Sequence, residues 1–245
     1  MRLVIAFDFD DTLVCSKTGE NIPQGSLWDR EARLTECQKN EKGESPLTVL
    51  AMPMSGESVE TLQYPLAVGM MRNFVFALND NYPMMGRSVF IVVITNGRYT
   101  PEAIRRFFIE AYGASQTVAS SIRVVSRYSL ADRGLQYESY RGRALERFRA
   151  FLNSSSNNTR HSASKAFDLW SFIRPEMVYL FDDSSDNLLE AKSMGFNAIN
   201  AREPAFFNHL HLLVNIIRSN SFFEREMPVG YDEMKTLESD GWAVI

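Results

Sequence analysis

Leu3-Val4-Ile5-Ala6-Phe7-Asp8-Phe9-Asp10-Asp11-Thr12-Leu13-Val14 is the stretch that decides the fold. Five apolar residues, rich in β-branched types, have the length of a buried strand. The run then breaks into three carboxylates within four positions. Like charges so close raise one another's pKa and resist ionising together, a penalty that a divalent cation removes. Asp8 and Asp10 are two apart, so an extended chain would project both to the same side. In open α/β sheets ligands bind outside the carboxyl ends of strands. A metal-assisted site is therefore expected where this first strand ends.

Working outward, the pattern repeats. Strands are predicted at Leu3–Phe7, Ser88–Ile94, Ser121–Val125, Met177–Phe181 and Ala198–Asn200. Helices are predicted at Leu66–Asn79, Pro101–Tyr112, Ser139–Leu152, Ser164–Ile173, Asp186–Met194 and Pro204–Arg218. Thr100 before Pro101 reads as an N-cap with proline at the first helical position, and Gly113 and Gly195 stand where helix-ending glycines belong. Strands alternating with helices predict an α/β fold built on a doubly wound parallel sheet. The expected core is 1–13 plus 66–218. Residues 14–65, polar and punctuated by Pro23, Pro46 and Pro53, read as an irregular inserted, cap-like lobe, and 219–245 as an acidic tail.

Composition narrows the setting. Of 245 residues 45% are hydrophobic and 23% charged, ordinary for a globular protein with a substantial core. Two cysteines, Cys15 and Cys37, form no CxxC pair and no disulfide framework, which fits a reducing compartment. A strand beginning at residue 3, without a charged-then-apolar leader, predicts a cytoplasmic protein, and the longest apolar run is too short for a bilayer span. Charge is uneven: Arg98 to Arg174 holds 13 Lys and Arg against 6 Asp and Glu, although the whole chain carries −4. That stretch reads either as solvated helix faces or as a basic rim for a polyanionic partner. His209 and His211 lie two apart in a helical pattern, do not share a face, and read as structural.

Three further groups fall at predicted strand or helix ends: Thr95-Asn96-Gly97 after the second strand, Lys165 opening a helix, and Asp182-Asp183-Ser184-Ser185-Asp186-Asn187 after the fourth. Together with Asp8, Asp10 and Thr12 they supply what phosphoryl transfer needs: a nucleophile, an acid/base, a metal site and donors to phosphoryl oxygens. An aspartate can itself be the nucleophile.

The four motifs in order, DxDxT, strand-Thr-Asn-Gly, Lys and strand-DDxxxN, resemble the haloacid dehalogenase-like superfamily, over roughly residues 2–13 and 66–201. The resemblance implies a Rossmann-like core and a hydrolase that uses magnesium. By it, Asp8 would attack phosphorus and ligate Mg²⁺. Asp10 would protonate the leaving group and then activate water, its backbone carbonyl also reaching the metal. Thr95 and the Asn96 N–H would hold the phosphoryl group, Thr12 would sit beside it, and Lys165 would neutralise charge. Asp183 would be the remaining metal ligand, with Asp182 and Asn187 in support. The alternative register gives the ligand role to Asp182 paired with Asp186, and Arg160 lies only five residues from Lys165.

Aspartate at position 10 resembles the superfamily's phosphatases; its P-type ATPases carry Thr there and its dehalogenases lack this acid. The reading is a phosphatase acting on a phosphomonoester, a nucleotide or a nucleic-acid end among the candidates, with no membrane partner. A small-metabolite phosphatase is the alternative within the family. A non-catalytic phosphoacceptor or scaffold is the alternative outside it. A receiver-type phosphoacceptor needs an aspartate after its third strand, and Ser126-Arg127-Tyr128-Ser129 offers none.

Overall fold

A computed structural model describes residues 3–15, 50–52, 60–65, 67–85, 88–97, 99–136, 139, 144–156 and 174–219. The central element is β1 (Leu3–Phe7), every residue of which is buried. It is flanked on one side by β5 (Val89–Ile94) and then β6 (Arg123–Val125), and on the other by β7 (Val178–Asp182) and then β8 (Asn197–Asn200). All pairings in this five-stranded sheet are parallel.

Period-2 alternation along β1 divides the core. Leu3, Ile5 and Phe7 join one buried cluster. It includes residues of α1 (Val68–Met85), α2 (Pro101–Tyr112) and α7 (Ala205–Arg218), among them Phe74, Phe107 and Leu210. Val4 and Ala6 join another with Leu130 of α4 (Arg127–Ala131), Leu145 and Phe148 of α5 (Ala144–Ser156) and Ala191 of α6 (Ser185–Ser193). A strand covered on both faces must be apolar at every position, which is why β1 reads as a continuous hydrophobic run. Phe7 stacks on Phe181 at 5.0 Å between centroids, so the two strands that carry the acidic motifs are packed together directly below them.

The helix signals operate as the residues require. Ala103 N–H donates to Thr100 Oγ1 at 3.2 Å, and Gly113 adopts φ 76°, the left-handed conformation that ends α2. Gly195 does the same beyond α6 with φ 78°.

Several boundaries differ from the sequence expectation. The strand expected over Ser121–Val125 is only Arg123–Val125, because Ser115 caps a preceding short helix, α3 (Gln116–Ser121), through its hydroxyl. The first long helix begins at Val68 and runs on to Met85. The helix expected over Ser139–Leu152 is Ala144–Ser156; its opening N–H groups at Leu145 and Glu146 each donate at 3.2 Å to the Glu190 carboxylate. That side chain arrives from α6, so no local spacing could announce the cap.

Within the stretch read as irregular, β2 (Val14–Cys15), β3 (Leu50–Met52) and β4 (Glu60–Pro65) form an antiparallel sheet in the order β2-β4-β3. The remainder of 14–65, the helix expected at Ser164–Ile173 and nearly all of the tail lie outside the described residues. Among the described residues no helix is long and apolar enough to cross a membrane.

Candidate functional site

Parallel register sets the site. Phe7 is level with Val93 on one side and Phe181 on the other, so the chain emerges from three neighbouring strands at nearly one height. The strand order also reverses here. From β1 the chain runs outward through β5 and β6, then returns to build β7 and β8 on the opposite side. The carboxyl ends of β1 and β7 flank that switch point, where open α/β sheets form a crevice.

Asp8 prolongs β1 by one rung, its N–H donating to Phe181 O at 2.8 Å. The chain then stops being extended. Leu13 and Val14 N–H both donate to Phe9 O, at 3.0 and 3.1 Å, closing a single tight turn. Asp11 takes φ 61° within it, a left-handed conformation that aspartate tolerates better than most residues. The Tyr112 hydroxyl from the end of α2 donates to Leu13 O at 3.0 Å and pins the turn from outside. The turn begins right after Phe9, and the Asp10 charge still reaches Asp8. Their carboxylates have different neighbours.

Asp8 belongs to the β7 side. Asp8, Asp182 and Asp183 each offer a carboxylate oxygen within 4.8 Å of the others. Asp182 is 1% exposed. Its Oδ1 accepts from Ser184 N–H and its Oδ2 from Asn187 Nδ2, both at 2.8 Å. Burial pushes its carboxyl up to about 7 against those hydrogen bonds, which pull the other way. Asp8 is raised well above the ordinary carboxylate range by burial, then by the charges of Asp182, Asp10 and Asp183. Asp183 is raised by burial and opposed by Arg202, whose guanidinium forms an ion pair with its Oδ2. Asp11 rises to about 6, through burial first and the Asp183 charge next.

Asp10 belongs to the β5 side. Thr95 follows β5 and is fully buried. Its hydroxyl accepts from Gly97 N–H at 2.9 Å and donates to Asp10 Oδ2 at 3.0 Å. Tyr99, also buried, donates its phenol proton to Asp10 Oδ1 at 2.6 Å. Asn96 is exposed, and its side-chain oxygen accepts from Arg147.

The structure thus brings Asp8, Asp10, Thr95, Asn96, Asp182, Asp183 and Asn187 to one end of the sheet. Thr12 is buried in the turn, and its hydroxyl has no hydrogen-bond partner among the described residues. Lys165 and Arg160 lie outside the described residues. His209 is structural in geometry, its Nδ1 lying 2.8 Å from Ala205 O one turn back.

Three residues enter the site that the motif reading did not single out. Arg147 of α5 is 1% exposed and donates to Thr95 O at 3.4 Å as well as to Asn96. Its one visible trace in the sequence is an arginine on the otherwise apolar stripe Ala144, Leu145 and Phe148. Arg202 follows β8 and reaches Asp183 across the sheet end. Tyr99 looks like any loop tyrosine until its hydroxyl is seen on Asp10. Other arginines of the basic stretch have internal engagements: Arg105 with Ile122 O, Arg106 with Glu110, Arg123 over the Phe90 ring.

The donor set suits a hard cation. Mg²⁺ takes carboxylate oxygens, one or two at a time, and keeps waters or phosphate oxygens for its remaining positions. Burial raises all three carboxyls, and neighbouring aspartates add to the rise at Asp8 and Asp182, so these are groups such a cation would relieve. In comparisons with family models, curated proteins and solved structures, none matches the chain.

Proposed function

We propose that the protein is a Mg²⁺-dependent phosphatase that hydrolyses phosphomonoesters through an aspartyl-phosphate on Asp8, on a doubly wound core of the haloacid dehalogenase-like type. One observation carries the reading. Two carboxylates of a single strand end are held in different surroundings, Asp8 among other acids and Asp10 among hydroxyl donors. Nucleophile and proton carrier need such a separation of environments.

In this reading Asp8, Asp182 and Asp183 hold Mg²⁺, with the Asp10 carbonyl joining them as the resemblance implies. The bound ion would supply charge neutralisation for these carboxylates and for the phosphoryl oxygens. Asp8 Oδ attacks phosphorus as the P–O bond to the leaving group breaks. Asp10 gives its proton to the departing alkoxide, which leaves as an alcohol. Asp10, now a carboxylate, takes a proton from water as that water attacks phosphorus. The bond to Asp8 breaks, inorganic phosphate departs, and both aspartates return to their starting states. Thr95 and the Asn96 N–H receive the phosphoryl oxygens, and Arg147, which donates to Thr95 O and Asn96, keeps that loop in place. Lys165 keeps the role of charge neutraliser that the resemblance gives it.

The test is a phosphate-release panel with Mg²⁺ over sugar phosphates, nucleotides, 3′- and 5′-phosphorylated oligonucleotides and phosphopeptides. Asp8→Asn should lower turnover by about four orders of magnitude or more, with an unchanged circular dichroism spectrum. Turnover retained in that variant would remove the mechanism. Activity that falls with added salt would point to the nucleotide or nucleic-acid members of the panel, and a flat response to small, weakly charged substrates.

A further inference from the structure

The site is made of two halves, and one contact in the β5 half has no counterpart among the motifs. Tyr99 is 1% exposed, and its hydroxyl lies 2.6 Å from Asp10 Oδ1. Its position is fixed from several directions. The ring meets Phe9 edge-on at 5.0 Å between centroids, and Phe9 is the residue between the two key aspartates. Its backbone carbonyl accepts from the buried Ser126 hydroxyl at 2.7 Å, and Ser126 also caps α4. On its other edge lies Gly97, where a Cβ atom would come to 2.3 Å from the Tyr99 ring. A glycine in that loop is therefore a steric requirement of the tyrosine: any side chain would displace the ring from Asp10.

Asp10 has its two oxygens treated differently. Oδ2 accepts from Thr95, whose hydroxyl also belongs to the loop that receives the phosphoryl group. In the phosphatase reading Oδ2, which faces this loop, is the oxygen that exchanges a proton with the leaving group and with water. Oδ1 keeps the tyrosine throughout. We infer that Tyr99 is a positioning residue that holds the Asp10 carboxyl by Oδ1 and aims Oδ2 at the leaving-group oxygen. This rests on the phosphatase reading above. The proton balance is unchanged: Tyr99 keeps its own proton, and Oδ2 alone gives and regains one. A carboxyl held in one orientation retains the effective concentration that a freely rotating one loses.

Leaving groups separate this role from a merely structural one. An alkoxide must be protonated as it departs, whereas p-nitrophenolate leaves without help. Tyr99→Phe removes one oxygen and preserves the ring packing on Phe9 and Gly97. On an alkyl phosphate such as glycerol phosphate its kcat/KM, which reports the step that expels the leaving group, should fall roughly tenfold or more. On p-nitrophenyl phosphate kcat/KM should stay within about twofold of the parent, with melting temperature and Mg²⁺ affinity unchanged, while any loss in the shared water-activation step shows only in kcat. In an Asp10→Asn background the same change should add nothing, since the group to be aimed is gone. An equal loss of kcat/KM on both substrates, no loss on either, or full additivity with Asp10→Asn would overturn the inference while leaving the phosphatase reading intact. If the parent protein releases no phosphate from any substrate, the underlying reading fails and takes this role with it.

Discussion

The two sides of the β1 carboxyl end differ in what they do to the same residue type. Toward β7, Asp8 meets two further aspartates, so burial and repulsion oppose its charge. Toward β5, Asp10 meets a threonine and a tyrosine hydroxyl, and both of its oxygens are held by donors. One side is short of positive charge; the other has its donors already in place. In the proposed reading a cation would relieve the first side, while the second provides a fixed direction. Two aspartates two positions apart acquire different neighbours across a tight turn after Phe9, Asp8 the aspartates at the carboxyl end of β7 and Asp10 the hydroxyls that follow β5.

The sharpest way to break this comparison is to neutralise each side in turn. Asp10→Asn should lower turnover by about 10²- to 10⁴-fold, while Mg²⁺ affinity, measured by calorimetry, stays within about twofold. Asp182→Asn should do the reverse at its first effect, weakening Mg²⁺ by about 10- to 100-fold and lowering turnover mainly at subsaturating metal. If both variants lose metal affinity alike, the two sides are one site and the distinction is wrong.

A second effect follows from the raised carboxyls. Asp182 titrates at about 7 in the metal-free fold, against an ordinary carboxylate in the unfolded chain. The folded state therefore binds the extra proton, so its stability declines as pH rises from about 4 through about 7, by roughly 4 kcal/mol at most. Above that the contribution levels off. Chemical denaturation of the metal-free parent and of Asp182→Asn across this range should show a downward slope that is shallower in the variant, the remainder coming from the raised Asp8, Asp11 and Asp183. Mg²⁺ reverses the sign of the dependence, because only the carboxylate form binds it: affinity should weaken below pH 7, with proton release seen by calorimetry in two buffers. A pH-independent affinity between 5.5 and 8 would show that the acidic side is ionised without a cation.

The smallest effect concerns Arg202. Its guanidinium pairs with Asp183, so it competes with an added cation for that carboxylate. Arg202→Met should tighten Mg²⁺ by several-fold, about 1 kcal/mol for a partly exposed pair, and lower metal-free stability by a similar amount. Weaker metal binding in that variant would instead make Arg202 an orienting partner of Asp183.

Much of this arrangement was legible in the chain. β1 declares itself because a strand buried on both faces must be apolar throughout, and α2 because Thr100, Pro101 and Gly113 punctuate it locally. The acidic groups were legible as well, since clustered carboxylates at the end of an apolar run are costly without a purpose. What was not legible depends on long-range neighbours. The cap of α5 comes from Glu190, and the strand near residue 123 is shortened by a helix capped at Ser115. β2, β3 and β4 are short pieces whose partners are 8 or more positions away, so no local periodicity reveals them.

By itself, then, the amino-acid order determined an α/β chain whose strands end in carboxylates and hydroxyls, because burial and capping are enforced within a few residues of each position. The tertiary structure alone decided which of those groups face one another. The reversal of strand order places Asp182 and Asp183 beside Asp8, and the turn after Phe9 hands Asp10 to Thr95 and Tyr99. These are contacts across 85 positions or more. The physical reason is that spacing along the chain sets local geometry, whereas the parallel register of β1 with β5 and β7 sets which strand ends meet.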